Sequence, residues 1–320
     1  MILSDYFLST PDLQWQIARQ LGVSHAVVRL PETADFDMTA PGHIRAVADR
    51  FKSAGFRPMV VEPMPNSVHD HIKRGDAQRD ESIEKVLKMI PLLAENGFET
   101  ICTNFVAEVG WYRTTSTLPE RGGAMVTGFR MQDVNVDLNL SITEEQVWQN
   151  LEYFLKAVIP TCEANGIRIA LHPDDPPVKK LGNLSRILIS KANIQKALDL
   201  VPSDCLGVTM CQANYVAMGE DVYDCIRHFG RQGKIFFAHF RDIRGTLEGF
   251  HETFHDNGQT DMVKALACYR DSGVDCPVRI DHVPTMAGEG NDRPGYELMG
   301  RLYAIGYLRG LAEAIGCPLR

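Results

Sequence analysis

Eight short apolar runs, rich in β-branched and aromatic residues, recur along the chain with amphipathic stretches between them. They cover residues 2–8, 25–30, 57–63, 98–105, 167–173, 205–211, 234–241 and 277–283. Runs such as HAVVRL, RPMVVEP and FETICTNF are nearly continuous in apolar character, as strands buried on both faces of a parallel sheet must be. The stretches between them have a different period. PDLQWQIARQLG (11–22), HIRAVADRFKSAG (43–55) and RDESIEKVLKMIPLLAENG (79–97) repeat apolar residues at helical spacing. So do ITEEQVWQNLEYFLKAVIPTCEANG (142–166) and TDMVKALACYRDSG (260–273). Glycine closes these stretches at 22, 55, 97, 166 and 273, where a left-handed residue commonly ends a helix. Asp80 and Thr143 are the expected N-caps. Eight β/α units in 320 residues predict an α/β protein, a TIM-type (β/α)8 barrel in one domain over 1–320. The competing doubly wound sheet would carry a glycine-rich phosphate turn after its first strand, and none is present.

One connection breaks this rhythm. Residues 106–140, VAEVGWYRTTSTLPERGGAMVTGFRMQDVNVDLNL, separate the fourth strand from the next helix. A loop this long in a compact domain is usually functional. Gly122, Gly123 and Gly128 allow it hinge-like dihedrals. It reads as a lid over the barrel mouth or as an oligomer contact.

The remaining composition excludes more than it assigns. A net charge of -8 argues against a nucleic-acid partner, which calls for a basic face. No apolar stretch approaches the roughly 20 residues that cross a bilayer, so no membrane association is expected. The start, MILSDYFLSTPD, lacks the basic and apolar regions of a signal peptide. The eight cysteines are scattered and include no CxxC pair, which points to a reducing cytoplasm rather than a disulfide framework.

Chemistry is concentrated at strand ends. His172, Cys211, His239 and Asp281 terminate the fifth to eighth apolar runs. In a closed barrel those C-terminal ends are neighbours and form the mouth where active sites lie. Two imidazoles, a thiolate and a carboxylate meeting there make a divalent-metal site. Such a mixed donor set suits Zn or Fe(II) through sulfur and Mn or Mg through the carboxylate, so it does not name the metal. A closed structural zinc site is the alternative, although its usual short spacings are absent. His282 follows Asp281 and should project from the other side of the strand end, as a candidate general acid or base. Arg241 and Arg279 share parity with His239 and Asp281, so both should point inward. There they would grip a substrate carboxylate, or pair with an inward acid such as Glu62. Tyr296, in the loop GEGNDRPGY (288–296), is a further candidate. His69 and His71 would face apart on a helix, and are read as solvated or rim residues.

These motifs resemble a known family. ALHPDDPP (170–177), CQANYVAMG (211–219), HFRD (239–242), FHETFHDNGQTDM (250–262), DHVP (281–284) and PGYELMGRLYAIGYLRGL (294–311) look like mannonate dehydratase. VVEPMP (60–65), NFVAEVGWYRT (104–114) and RGGAMVTGF (121–129) follow it more loosely. The resemblance implies a xylose-isomerase-like barrel that dehydrates D-mannonate to 2-keto-3-deoxy-D-gluconate in hexuronate catabolism. It implies Mn2+ (or Fe2+) on His172, Cys211, His239 and Asp281, and an acid/base pair of His282 and Tyr296. Tyr296 is taken as the base and His282 as the acid. Asn104, Trp111 and Arg113 join Arg241 and Arg279 as expected substrate contacts, and a homo-oligomer is expected. Four positions depart from the family pattern. RIDH (279–282) stands for RPDH, Ala213-Asn214 for Gly-Ser, Gly110 for the aspartate before the loop tryptophan, and EPMP (62–65) for ES-x-P. They are expected near the substrate pocket, which leaves open dehydration of another aldonic acid. A sugar isomerase or epimerase on the same fold, or a non-catalytic sugar-acid binder, are the other readings.

Overall fold

A computed structural model describes residues 1–320. Eight parallel strands close into a barrel. In chain order they are Ile2–Leu8, His25–Arg29, Arg57–Val61, Thr100–Thr103, Arg168–Leu171, Leu206–Cys211, Ile235–Phe240 and Pro277–Ile280. Each strand pairs with its sequence neighbours, and the first pairs with the last. All eight apolar runs are therefore strands of one sheet. The five amphipathic stretches are helices Leu13–Gln20, Pro41–Ser53, Arg79–Glu95, Glu144–Asn165 and Met262–Asp271. Thr143 caps its helix through a capping box with Gln146, and Gly166 ends that helix in the left-handed conformation. Asp80 does not cap. The helix begins one residue before it, after Gln78, and Asp80 lies in the first turn.

Strand parity sorts the interior into two layers. On the sixth strand Leu206, Val208 and Met210 face the helices, within a core of 70 buried residues. Phe7, Trp15, Phe51 and Phe56 pack together there, with Trp15 stacked on Phe51 at 4.1 Å. Burying each such side chain is worth about 1.5–3 kcal/mol. The opposite parity fills the lumen with Tyr6, Val27, Met59, Cys102, Ala170 and Phe237. Gly207 is required by this filling, since a Cβ would meet Lys234 O at 2.4 Å and the Phe236 ring at 2.5 Å. The lumen is thus a plug, and the inward residues above it form the floor of the mouth.

Residues 106–140 are more ordered than a hinged loop. They contain strands Thr115–Pro119 and Met125–Arg130. These join the hairpin of Ile243–Thr246 and Gly249–Glu252 in a four-stranded antiparallel sheet. Sequence reading missed this because the partner hairpin follows the seventh strand, more than a hundred residues away. His69 also departs from expectation. The helix Asn66–Arg74 turns it inward, where it is 1% exposed, 3.0 Å from Thr103 Oγ1 and packed against Phe105 and Phe154. His71 faces outward to Asp76, as spacing of two residues on a helix requires.

Candidate active site

Three strand ends bring ligand atoms of His172, Cys211 and His239 within 4.8 Å of one another, and Asp281 from the fourth stands beside two of them. His172 Nε2 lies 3.2 Å from His239 Nδ1. Asp281 Oδ2 is 3.6 Å from His239 Nδ1 and 4.0 Å from Cys211 Sγ. His172 Nδ1 lies 2.6 Å from Pro173 O, so it carries the proton and leaves a lone pair on Nε2. His239 Nε2 lies 2.9 Å from Glu62 Oε1 as a charge pair without hydrogen-bond geometry, and its Nδ1 faces the same point as His172 Nε2. Two ring nitrogens 3.2 Å apart beside an ionised carboxylate make a site that attracts positive charge, a proton or a metal ion. Electrostatics agree. Burial and Arg279 pull the His239 imidazole down, but Glu62 and Asp281 outweigh them and raise it to about 9. Asp281 is held far below the usual carboxylate range despite burial, chiefly by Arg279, His282 and His239. The donor set fits a divalent metal, and Glu62 behind the His239 ring would hold that imidazole in place. Glu62, Cys102 and His239 also cluster, but Arg279 grips both Glu62 oxygens at 2.8 and 3.0 Å.

His282 and Tyr296 stand beside this cluster. His282 Nε2 is 3.1 Å from Tyr296 Oη, and Tyr296 Oη is 3.5 Å from Asp281 Oδ1. The strand ends at Ile280, so alternation no longer applies and both Asp281 and His282 line the cavity. His282 Nδ1 lies 3.0 Å from Glu252 Oε1. That nitrogen is shared between the Glu252 carboxylate and the Arg241 guanidinium, and Nε2 is the ring nitrogen turned to Tyr296 and the cavity. Burial lowers the His282 imidazole, with Asp281 opposing. Burial and the Asp281 charge push the Tyr296 phenol well above its ordinary value. That environment favours the protonated phenol.

The arginines have internal work. Arg241 Nη1 bonds Glu252 at 2.6 Å, its Nη2 bonds Asp175 at 2.7 Å, and its Nε sits 3.2 Å from Cys211 Sγ. Arg113 binds the same two acids, at 2.5 Å and 2.6 Å. Neither guanidinium lines the cavity, so neither is placed to grip a substrate. Arg279 does line it, but pairs with Glu62 and with Asp281 at 2.7 Å. Asn104 and Trp111 line the cavity. Trp111 is 41% exposed, with its ring 4.7 Å from that of His282.

The cavity, about 490 Å³, opens between the metal-type cluster and the loops after the first four strands. Pro63 and Gly110 line it, so two of the four sequence departures fall in the pocket. The other two do not. Ile280 packs into the helix-facing core, and Asn214 binds Arg241 and the Asp174 carbonyl behind the wall. Sequence reasoning missed Glu252 and Asp175, the acids that hold Arg241 and Arg113. Both sit inside quoted motifs, FHETFHD and HPDD, but their partners lie on other loops and no local spacing links them.

A closed parallel barrel with metal-type ligands and an oriented histidine–tyrosine pair at its mouth defines a (β/α)8-barrel enzyme of proton-transfer chemistry. Comparison with known proteins specifies it further. The family model for D-mannonate dehydratase (UxuA) matches residues 9–139 and 130–318. Mannonate dehydratase 2 of Halalkalibacterium halodurans is 35% identical over 302 residues, 85% of this chain and 86% of the relative. The crystal structure of mannonate dehydratase from Streptococcus suis serotype 2 superposes with a TM-score of 0.91 at 27% identity, covering 100% of this chain and 97% of that one. The chain belongs to the mannonate dehydratase family. D-psicose 3-epimerase, at 12% identity and a TM-score of 0.63 over 99% of this chain and all of that one, shares the fold.

Proposed function

We propose that this chain dehydrates D-mannonate to 2-keto-3-deoxy-D-gluconate in hexuronate catabolism, with Mn2+ (or Fe2+) held by His172, Cys211, His239 and Asp281. The observation that carries the reading is the His282 Nε2–Tyr296 Oη pair, 3.1 Å apart, beside that ligand set. The reaction breaks the C2–H and C3–O bonds, forms a C2=C3 enol and releases water. The enol then takes a proton at C3 and becomes the ketone. A C2 proton beside a carboxylate is weakly acidic, so the site must stabilise the charge left behind. When bound, a divalent ion supplies that positive charge. His282, oriented by Glu252, accepts the C2 proton at Nε2. Tyr296 Oη donates to the departing C3 hydroxyl and recovers its proton through the His282 contact. Trp111 lies over the pair and restricts water.

Eight unpaired cysteines support a reducing, cytoplasmic setting. No helix is long and apolar enough to cross a membrane. We expect a homo-oligomer, as the family resemblance implied. The deciding experiment assays 2-keto-3-deoxy acid formation by metal-stripped protein resupplied with Mn2+, on D-mannonate beside other aldonic acids. Mn2+-dependent turnover of D-mannonate is expected. Turnover of a different acid alone would move the substrate, and no product from any aldonate would overturn the reading.

A further inference from the structure

With the inward arginines committed to internal carboxylates, the substrate chain beyond C3 needs partners elsewhere in the cavity. The helix Asn66–Arg74, which follows the third strand, offers them. Asn66, Asp70 and Lys73 occupy positions i, i+4 and i+7, which share one helical face. All three line the same cavity as Asp281, His282 and Tyr296. In an eight-stranded ring the third strand stands across the mouth from the seventh and eighth, which carry the reacting end.

Lys73 is the most telling member. Its side chain is 2% exposed, yet its ammonium has one hydrogen bond, to Asp70 Oδ1 at a long 3.5 Å. An ammonium carries three donors, and buried unmade hydrogen bonds are costly. Asp70 in turn accepts from nothing but that ammonium. A donor and an acceptor side by side are what a vicinal diol requires: one hydroxyl accepts from the ammonium and its neighbour donates to the carboxylate. A second substrate carboxylate would be repelled by Asp70. We propose that the Asn66, Asp70 and Lys73 face binds the distal hydroxyls of the aldonate chain, and so sets the length and configuration of the sugar acid that is accepted. This rests on the dehydratase reading for which end of the substrate reacts.

The test compares Lys73→Met and Asp70→Asn with the unaltered enzyme on two substrates. One is D-mannonate; the other is the four-carbon aldonate of the same configuration at C2 and C3, which lacks C5 and C6. Loss of these bonds should raise KM for D-mannonate about tenfold with kcat little altered, because uniform binding is lost. On the four-carbon acid the same variants should cost less than about twofold. Equal losses on both substrates, or none on D-mannonate, would overturn the proposal. Calorimetric titration with both acids separates it from the reaction itself. If D-mannonate binds without turnover and Lys73→Met weakens that binding alone, the distal site stands while the dehydratase reading falls. If the unaltered enzyme binds no six-carbon aldonate, the distal site falls.

Discussion

At the scale of single residues, the division of labour we propose between His282 and Tyr296 is argued from the charges adjacent to each. Tyr296 Oη faces Asp281 at 3.5 Å, where a phenolate would be repelled. His282 Nδ1 has the Glu252 carboxylate behind it at 3.0 Å, which supports the imidazole as it takes up a proton against the Arg241 guanidinium on the same nitrogen. In deuterated solvent, Tyr296→Phe should therefore retain exchange of the substrate C2 proton while dehydration falls by about 10²–10⁴-fold. His282→Gln should lose both. Exchange that survives in His282→Gln and vanishes in Tyr296→Phe would restore the opposite assignment. The identities of both residues were legible in the sequence, since a histidine after a strand-end aspartate and a tyrosine in the following loop are visible as text. Their roles were not, because the role of each depends on Glu252 or Asp281 at a particular distance.

At the scale of elements, alternation of strand and helix was readable throughout, and parity correctly turned Arg241 and Arg279 inward. Parity does not say what meets an inward arginine. The answer comes from strand Gly249–Glu252, whose pairing with Met125–Arg130 delivers Glu252 to Arg241, Arg113 and His282. Two arginines and two acids form a buried set that also touches His282 and Asp281, so removing one acid leaves uncompensated charge. Glu252→Ala should destabilise the fold by roughly 3–5 kcal/mol. Burial raises the Glu252 carboxyl, but Arg241, His282 and Arg113 outweigh it and lower it from 4.5 to about 2. A depressed acid contributes fully above its ordinary pKa, and its contribution is lost as pH falls through the folded value. Denaturant titrations should thus show stability falling between pH 4.5 and about 2, with on the order of 3 kcal/mol from this group. Glu252→Gln should flatten that dependence. An unchanged slope would mean that the carboxylate is not ionised in the folded protein.

At the scale of the whole molecule, the barrel gathers nitrogen, sulfur and oxygen donors where four strands end, and a bound cation would couple that gathering to global stability. His172, Cys211, His239 and Asp281 come from four separate β/α units, so an ion held by all four ties those units together and binds only the folded chain. Ligand that binds the native state alone stabilises it in proportion to the logarithm of its concentration over its dissociation constant. At a hundredfold excess over that constant, Mn2+ should add about 2.7 kcal/mol. That should appear as a rise of several degrees in Tm. The rise should be lost in Cys211→Ser and Asp281→Asn, which remove ligands from different strands, and should persist in Tyr296→Phe, which removes none. The pattern across variants distinguishes this site from adventitious binding by surface acids, which no single ligand change would abolish. A rise of equal size in Cys211→Ser would exclude the thiolate from the ligand set, and no rise with Mn2+ or Fe2+ would exclude a resident ion. In that case the facing imidazoles would share a proton instead, since Glu62 and Asp281 already hold His239 at about 9.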